Sequence, residues 1–94
     1  MNIDDFIWLP DIVDKLAAKH HVDQYEVEEL FFNRPHYRFA ERGNRPGEDV
    51  YAALGQTNAG RYLIVFFIFK RGNTALIVSA RDMDRKERRG YERR

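Results

Sequence analysis

A chain of 94 residues can close one modest hydrophobic core but not two, so residues 1–94 are read as a single domain. Its hydrophobic share of 44% and aromatic share of 14% exclude general disorder, and the absence of cysteine excludes disulfides, thiol nucleophiles and cysteine metal sites. The formal net charge is only +1, but residues 79–94 carry a balance of +3, the footprint of a phosphate-rich ligand or an acidic protein partner.

The N-terminus, MNIDDFIW, is acidic and has no extended apolar core, so it does not read as a signal peptide. Phe6-Ile7-Trp8 reads as a short edge strand. Pro10 then supplies the first position of a helix, and Leu9, Ile12, Val13, Leu16, Ala17 and His20 follow helical spacing. A second helix starts at Asp23-Gln24-Tyr25-Glu26, a D-x-x-E cap with Val22 and Val27 placed as a hydrophobic staple. Asn33 and Pro35 end it. This compact pair spells a helix–turn–helix, but the second helix is acidic where a DNA-reading helix is basic, and that reading is rejected.

After Pro35 the period becomes two. Tyr37 and Phe39 alternate with His36, Arg38 and Ala40 in a first strand, Arg42–Gly47 forms a loop, and Glu48–Thr57 contains a second strand. Asn58-Ala59-Gly60 turns the chain into Arg61–Phe69, whose unbroken apolar run marks the centre of a sheet and is too short to span a bilayer. Arg71-Gly72-Asn73 turns again, into Ala75-Leu76-Ile77-Val78. The polarity changes at Ser79-Ala80-Arg81, and Asp84 with Glu87 predicts a capping box and a helix from about Arg85. Asp84, Glu87, Arg88 and Tyr91 then share one helical face. The fold class is α+β: two N-terminal helices, a twisted antiparallel meander and a basic C-terminal helix. No membrane segment is expected, and the location is read as cytoplasmic.

His20 and His21 are adjacent and diverge on a helix, and His36 is distant in sequence, so no metal site is read and no cofactor is expected. Gly43 and Gly47 lack the lysine of a phosphate loop. Histidine, arginine, glutamate and tyrosine without a metal suit cleavage of RNA by its own 2′-hydroxyl. That reaction needs a base, an acid and cations on the phosphorane-like transition state. Glu87 or His20 would take the proton, and His20, Tyr91 or Lys19 would return one. Arg61, Arg81 and Arg88 would hold the phosphate. Arg85 joins Lys19 and Arg88 as a candidate substrate-binding cation. Each has a plainer competitor: a core-closing histidine, a strand-start arginine, a packing tyrosine, a capping glutamate.

These residues also carry a resemblance. Trp8, Lys19-His20, Val22 with the D-x-x-E start, Gly55-Gln56-Thr57, Gly60-Arg61, Ser79-Ala80-Arg81-Asp82-Met83 and Glu87-Arg88-Arg89 with Tyr91 are together similar to the BrnT family. The similarity runs from about Phe6 to Tyr91 and is most specific at Val78–Arg81 and Glu87–Tyr91. It implies a RelE-like fold, metal-independent endoribonuclease activity as the toxin of a type II toxin–antitoxin pair, and inhibition of translation and growth. It further implies an antitoxin of the BrnA kind that binds DNA, and assembly as a dimer or as a heterotetramer with that antitoxin. By position it points to Lys19, His20, Arg61, Arg81, Glu87 and Tyr91. Two departures stand out: His21 where the family has glycine, and Gly90 inside the last helix. The competing reading, from a different class, is a catalytically idle module whose basic helix docks protein or nucleic acid.

Overall fold

In the computed structural model, which describes residues 1–93, strands β1 (Asp5–Ile7), β2 (His36–Glu41), β3 (Val50–Gln56), β4 (Tyr62–Lys70) and β5 (Thr74–Asp82) form one sheet. Its order is β1-β5-β4-β3-β2. The meander β2 to β5 is antiparallel, as the turn-separated apolar runs require, and the long apolar β4 lies at its centre. The N-terminal strand differs from a meander: β1 pairs parallel to β5, which makes the sheet mixed. That pairing is available because everything between β1 and β5 lies elsewhere, the helices over one face and the other strands beyond β4.

The helices follow the sequence closely at their starts. Helix α1 (Pro10–Lys15) has proline in its first turn, and α2 (Gln24–Phe32) carries both halves of the Asp23–Glu26 capping box. Helix α3 (Arg85–Glu92) repeats that arrangement with Asp84 and Glu87. Between α1 and α2 the helix widens into a π turn, Leu16–His20, instead of continuing regularly; Leu16 is buried there and Ala17 exposed, and Leu9, ahead of α1, is exposed too. The turn ends at His21 in the left-handed region (φ 53°), and the Leu16 carbonyl accepts the N–H of both His21 and Val22.

Each face of the sheet buries its own cluster. On one, Ala53, Leu63, Val65, Phe67 and Ile77 meet Leu16, Val22, Val27, Leu30 and Phe31 from the first helices. On the other, Ala52, Leu54 and Ile64 meet Tyr91 of α3, with Tyr62, Phe66 and Met83 around them. The register lines up two rows on this second face: His36, Leu54, Ile64 and Arg81, then Arg38, Ala52, Phe66 and Ser79. Side chains paired across strands point the same way, so each row is one contiguous strip under or beside α3. No helix among the described residues is long and apolar enough to cross a membrane.

Candidate active site

Helix α3 leaves the end of β5 and folds back over the second face, held by three local devices. The Asp84 carboxylate accepts the Glu87 N–H at 2.7 Å, and the Glu87 carboxylate accepts the Asp84 N–H at 2.9 Å. Arg81 then grips the same glutamate: its two terminal nitrogens donate to Oε1 and Oε2 at 2.8 and 2.9 Å. Last, Tyr91 buries its ring against the sheet and stacks edge-on to Tyr62, with centroids 5.9 Å apart. Hydrogen bonding to Arg81 holds the Glu87 carboxyl below its ordinary range, with the Asp84 N–H and the charges of Arg81 and Arg38 adding to it against the opposing effect of burial. The same pairing raises Arg81.

Beneath α3 opens a hollow of about 450 Å³ whose walls include His36, Arg38, Leu54, Lys86, Glu87 and Tyr91. Arg38 is half-exposed, and its nearest described ion pair is a 3.9 Å approach to Glu87. Thus one ionised carboxylate stands between two guanidinium groups, with an imidazole and an ammonium on the same walls. Arg81 does not itself line the hollow; it fixes Glu87 from the β5 side.

The expected site residues divide between the two faces. Glu87 and Tyr91 line the hollow, and Arg81 reaches it through Glu87. Arg88 turns away, over the Tyr62 ring at 3.9 Å and toward Glu92 at 3.7 Å, and Arg85 is exposed on α3. Arg61 lies on the opposite face, because its side chain runs with Leu63 and Asp82 and not with Ile64 and Arg81. There its guanidinium donates to Asp82 at 2.8 and 3.3 Å, to the Glu26 carboxylate at 3.1 and 3.2 Å, and to the His20 and His21 carbonyls at 3.0 and 2.7 Å. His20 sits on that side too, close enough to help Arg61 lower Asp82, while Lys19 is exposed at the end of the π turn. Arg61 therefore clamps the helix end to the sheet end, and that clamp is not continuous with the hollow.

His36, Arg38 and Lys86 join the hollow without having been singled out by sequence. The signal was the period-two alternation after Pro35, which puts His36 and Arg38 on one face of β2, opposite Tyr37 and Phe39. Among the described residues no group of three histidine, cysteine, aspartate or glutamate side chains could hold a metal ion.

The family model described as ribonuclease toxin, BrnT, of type II toxin–antitoxin system matches residues 8–87. The fold is similar to the crystal structure of the Brucella abortus ribonuclease toxin BrnT, with a TM-score of 0.63 and 18% sequence identity over 87% of this chain and 100% of that one. No curated protein sequence matches the chain.

Proposed function

Because the chain belongs to the BrnT family of ribonuclease toxins of type II toxin–antitoxin systems, we propose that it cuts RNA in the hollow beneath α3, by side-chain proton transfer and guanidinium charge. The protein is an endoribonuclease with a RelE-like α+β fold and an antitoxin as its partner. The observation that carries the siting is the Arg38–Glu87–Arg81 group beside His36, Lys86 and Tyr91 in one cavity.

The chemistry needs no other reactant. The 2′-hydroxyl gives up its proton, its oxygen bonds to phosphorus, and the bond to the 5′ oxygen breaks as that oxygen takes a proton. The products are a 2′,3′-cyclic phosphate and a 5′-hydroxyl. Arg38 and Lys86 supply cations to the phosphorane oxygens, whose charge grows in the transition state. Glu87, ionised and gripped by Arg81, is a weak base and serves to orient the cations around it. His36 is the proton carrier, since it lines the hollow and an imidazole has one nitrogen to accept a proton and another to donate one. Tyr91 lines the same cavity. In this reading Arg61 holds the fold and His20 takes no part in the chemistry. The partner is a DNA-binding antitoxin resembling BrnA, and the pair works in the cytoplasm, where RNA cleavage halts translation and growth.

The test is cleavage of single-stranded RNA by purified protein in EDTA, with His36→Ala, Arg38→Ala and His20→Ala compared at equal folded fraction. The first two should lose activity and the third should keep it. Loss in His20→Ala with retention in the other two would move the site to the Arg61 face.

A further inference from the structure

We propose that the open shelf beside the hollow is a subsite for one nucleobase of the RNA substrate, selective for guanine; this rests on the RNA-cleavage reading above. Helix α3 roofs only the upper part of the second face. Below it, Ala40, Glu41, Val50, Phe66, Val78 and Ser79 line a cavity of about 330 Å³ that draws on four adjacent strands. Two bulges frame it. The β2–β3 register slips between Phe39 and Glu41, leaving Ala40 extra, and the β4–β5 register slips between Phe66 and Phe67, leaving Val78 extra. Bulges bend and twist a sheet locally and recur beside active sites, where they re-aim side chains. Here they turn Val78, 38% exposed, and Ala40 toward the shelf.

The shelf is continuous with the cations. The Arg81 guanidinium stands 5.7 Å over the Phe66 ring, and Arg38 shares a row with Phe66. One step along a strand face is about 7 Å, comparable with the reach from a phosphate to its own base. A phosphate held by Arg38 at this edge of the hollow therefore delivers its base onto Phe66, Val50 and Val78. An aromatic and aliphatic floor accepts any base by stacking. Selection comes from Glu41, which pairs with Val50 and so faces the same side. A carboxylate accepts two parallel N–H bonds, and guanine alone presents two adjacent donors on its Watson–Crick edge. A peptide segment would also cover apolar surface, but a cavity this small, with cations at one end and a carboxylate at its rim, matches a nucleotide better.

The test uses the isotope-labelled full chain and short RNAs whose nucleotide at the cut carries 2′-deoxyribose, so that nothing is cleaved. Guanine-containing strands should shift the backbone amide resonances of Val50, Phe66 and Val78 and bind about tenfold or more tightly than uracil-containing ones, the discrimination of one bidentate contact. Glu41→Gln should remove the guanine advantage at unchanged Tm, and Val78→Trp should fill the shelf and abolish the shifts. Shelf resonances that stay still while those of His36 and Arg38 move would overturn the proposal, as would shelf resonances that respond only to the antitoxin. An unchanged guanine preference in Glu41→Gln would overturn it as well. If guanine seats on the shelf but the matching ribonucleotide strand is never cut, the subsite stands and the cleavage reading falls. If RNA is cut with no base preference, cleavage stands and the guanine subsite falls.

Discussion

Arg81 and Glu87 meet across the turn from β5 to α3 through two parallel hydrogen bonds of 2.8 and 2.9 Å, which tie the last strand to the first turn of the last helix. A planar guanidinium can make both bonds at once, whereas an ammonium is a point charge. Arg81→Lys should therefore keep the charge and lose the grip. A lost charge-assisted hydrogen bond is worth about 1.5–3 kcal/mol, and expressed at the transition state that lowers kcat/KM about ten- to a hundredfold. Single-turnover cleavage of a labelled RNA checks this, with circular dichroism to show that α3 remains.

Glu87 also sets an acid limit on stability. Its carboxyl is held below the ordinary value of about 4.5, chiefly by Arg81, so the unfolded chain binds the proton more readily than the folded one. The stability it contributes is fully present above about pH 4.5 and is lost as the pH falls through the lowered value. Asp82, lowered by Arg61, acts in the same direction. Glu87→Gln should be less stable than the wild type at pH 7 and should lose less on acidification. Urea melts at pH 7, 5 and 3.5 would show the two curves converging; parallel curves would contradict the pairing.

Arg61 is predicted to matter for folding before chemistry. Its guanidinium bridges two carboxylates and two backbone carbonyls from three separate segments and is only 27% exposed. Arg61→Ala leaves Asp82, Glu26 and the end of the π turn without that donor. About 2–3 kcal/mol of lost stability is expected, a Tm drop on the order of 10 °C for a domain of this size. Cleavage per folded molecule should fall much less than in Arg81→Lys. A large loss of activity at unchanged Tm would assign Arg61 to the chemistry instead.

His21 occupies a left-handed position (φ 53°) where the family resemblance expects glycine. A side chain at such a helix end costs about 1 kcal/mol that glycine avoids. His21→Gly should raise stability by about 0.5–1 kcal/mol, measured as a higher urea midpoint at unchanged slope.

What was legible in the sequence was local. Both D-x-x-E caps formed because their partners lie three residues apart, and the shared face of Glu87 and Tyr91 followed from helical spacing. The sheet order of β3 to β5 followed from tight turns between apolar runs, and β2 joins them through the longer loop that contains Arg42–Gly47. What could not be read was parity across strands. Arg61 and Arg81 both lie at the ends of long strands, and which face each takes depends on the pairing of Leu63 with Asp82 and Ile64 with Arg81. A slip of one residue reverses every side chain, and the bulges at Ala40 and Val78 leave little trace in composition. The same parity brings His36 and Arg38 under α3, although β2 and α3 are far apart in the chain and β2 does not pair with β5, the strand that leads into α3.

Gly90 is the second departure from the family pattern, and it lies where helix stability and the hollow meet. It sits inside α3 without positive φ, so nothing in the backbone demands glycine, and a Cβ built there meets no atom within 4 Å. Glycine in a helix costs about 0.5–1 kcal/mol relative to alanine, so Gly90→Ala should stabilise the domain and raise Tm by about 2–8 °C. Gly90 also lines the hollow, so the added methyl narrows the space between α3 and the sheet. If RNA enters there, the variant should be more stable and yet show a higher KM with little change in kcat, the signature of hindered binding with intact chemistry. A higher Tm with unchanged KM would mean that the substrate approaches from the Arg81 side of the helix and never fills the space beneath Gly90.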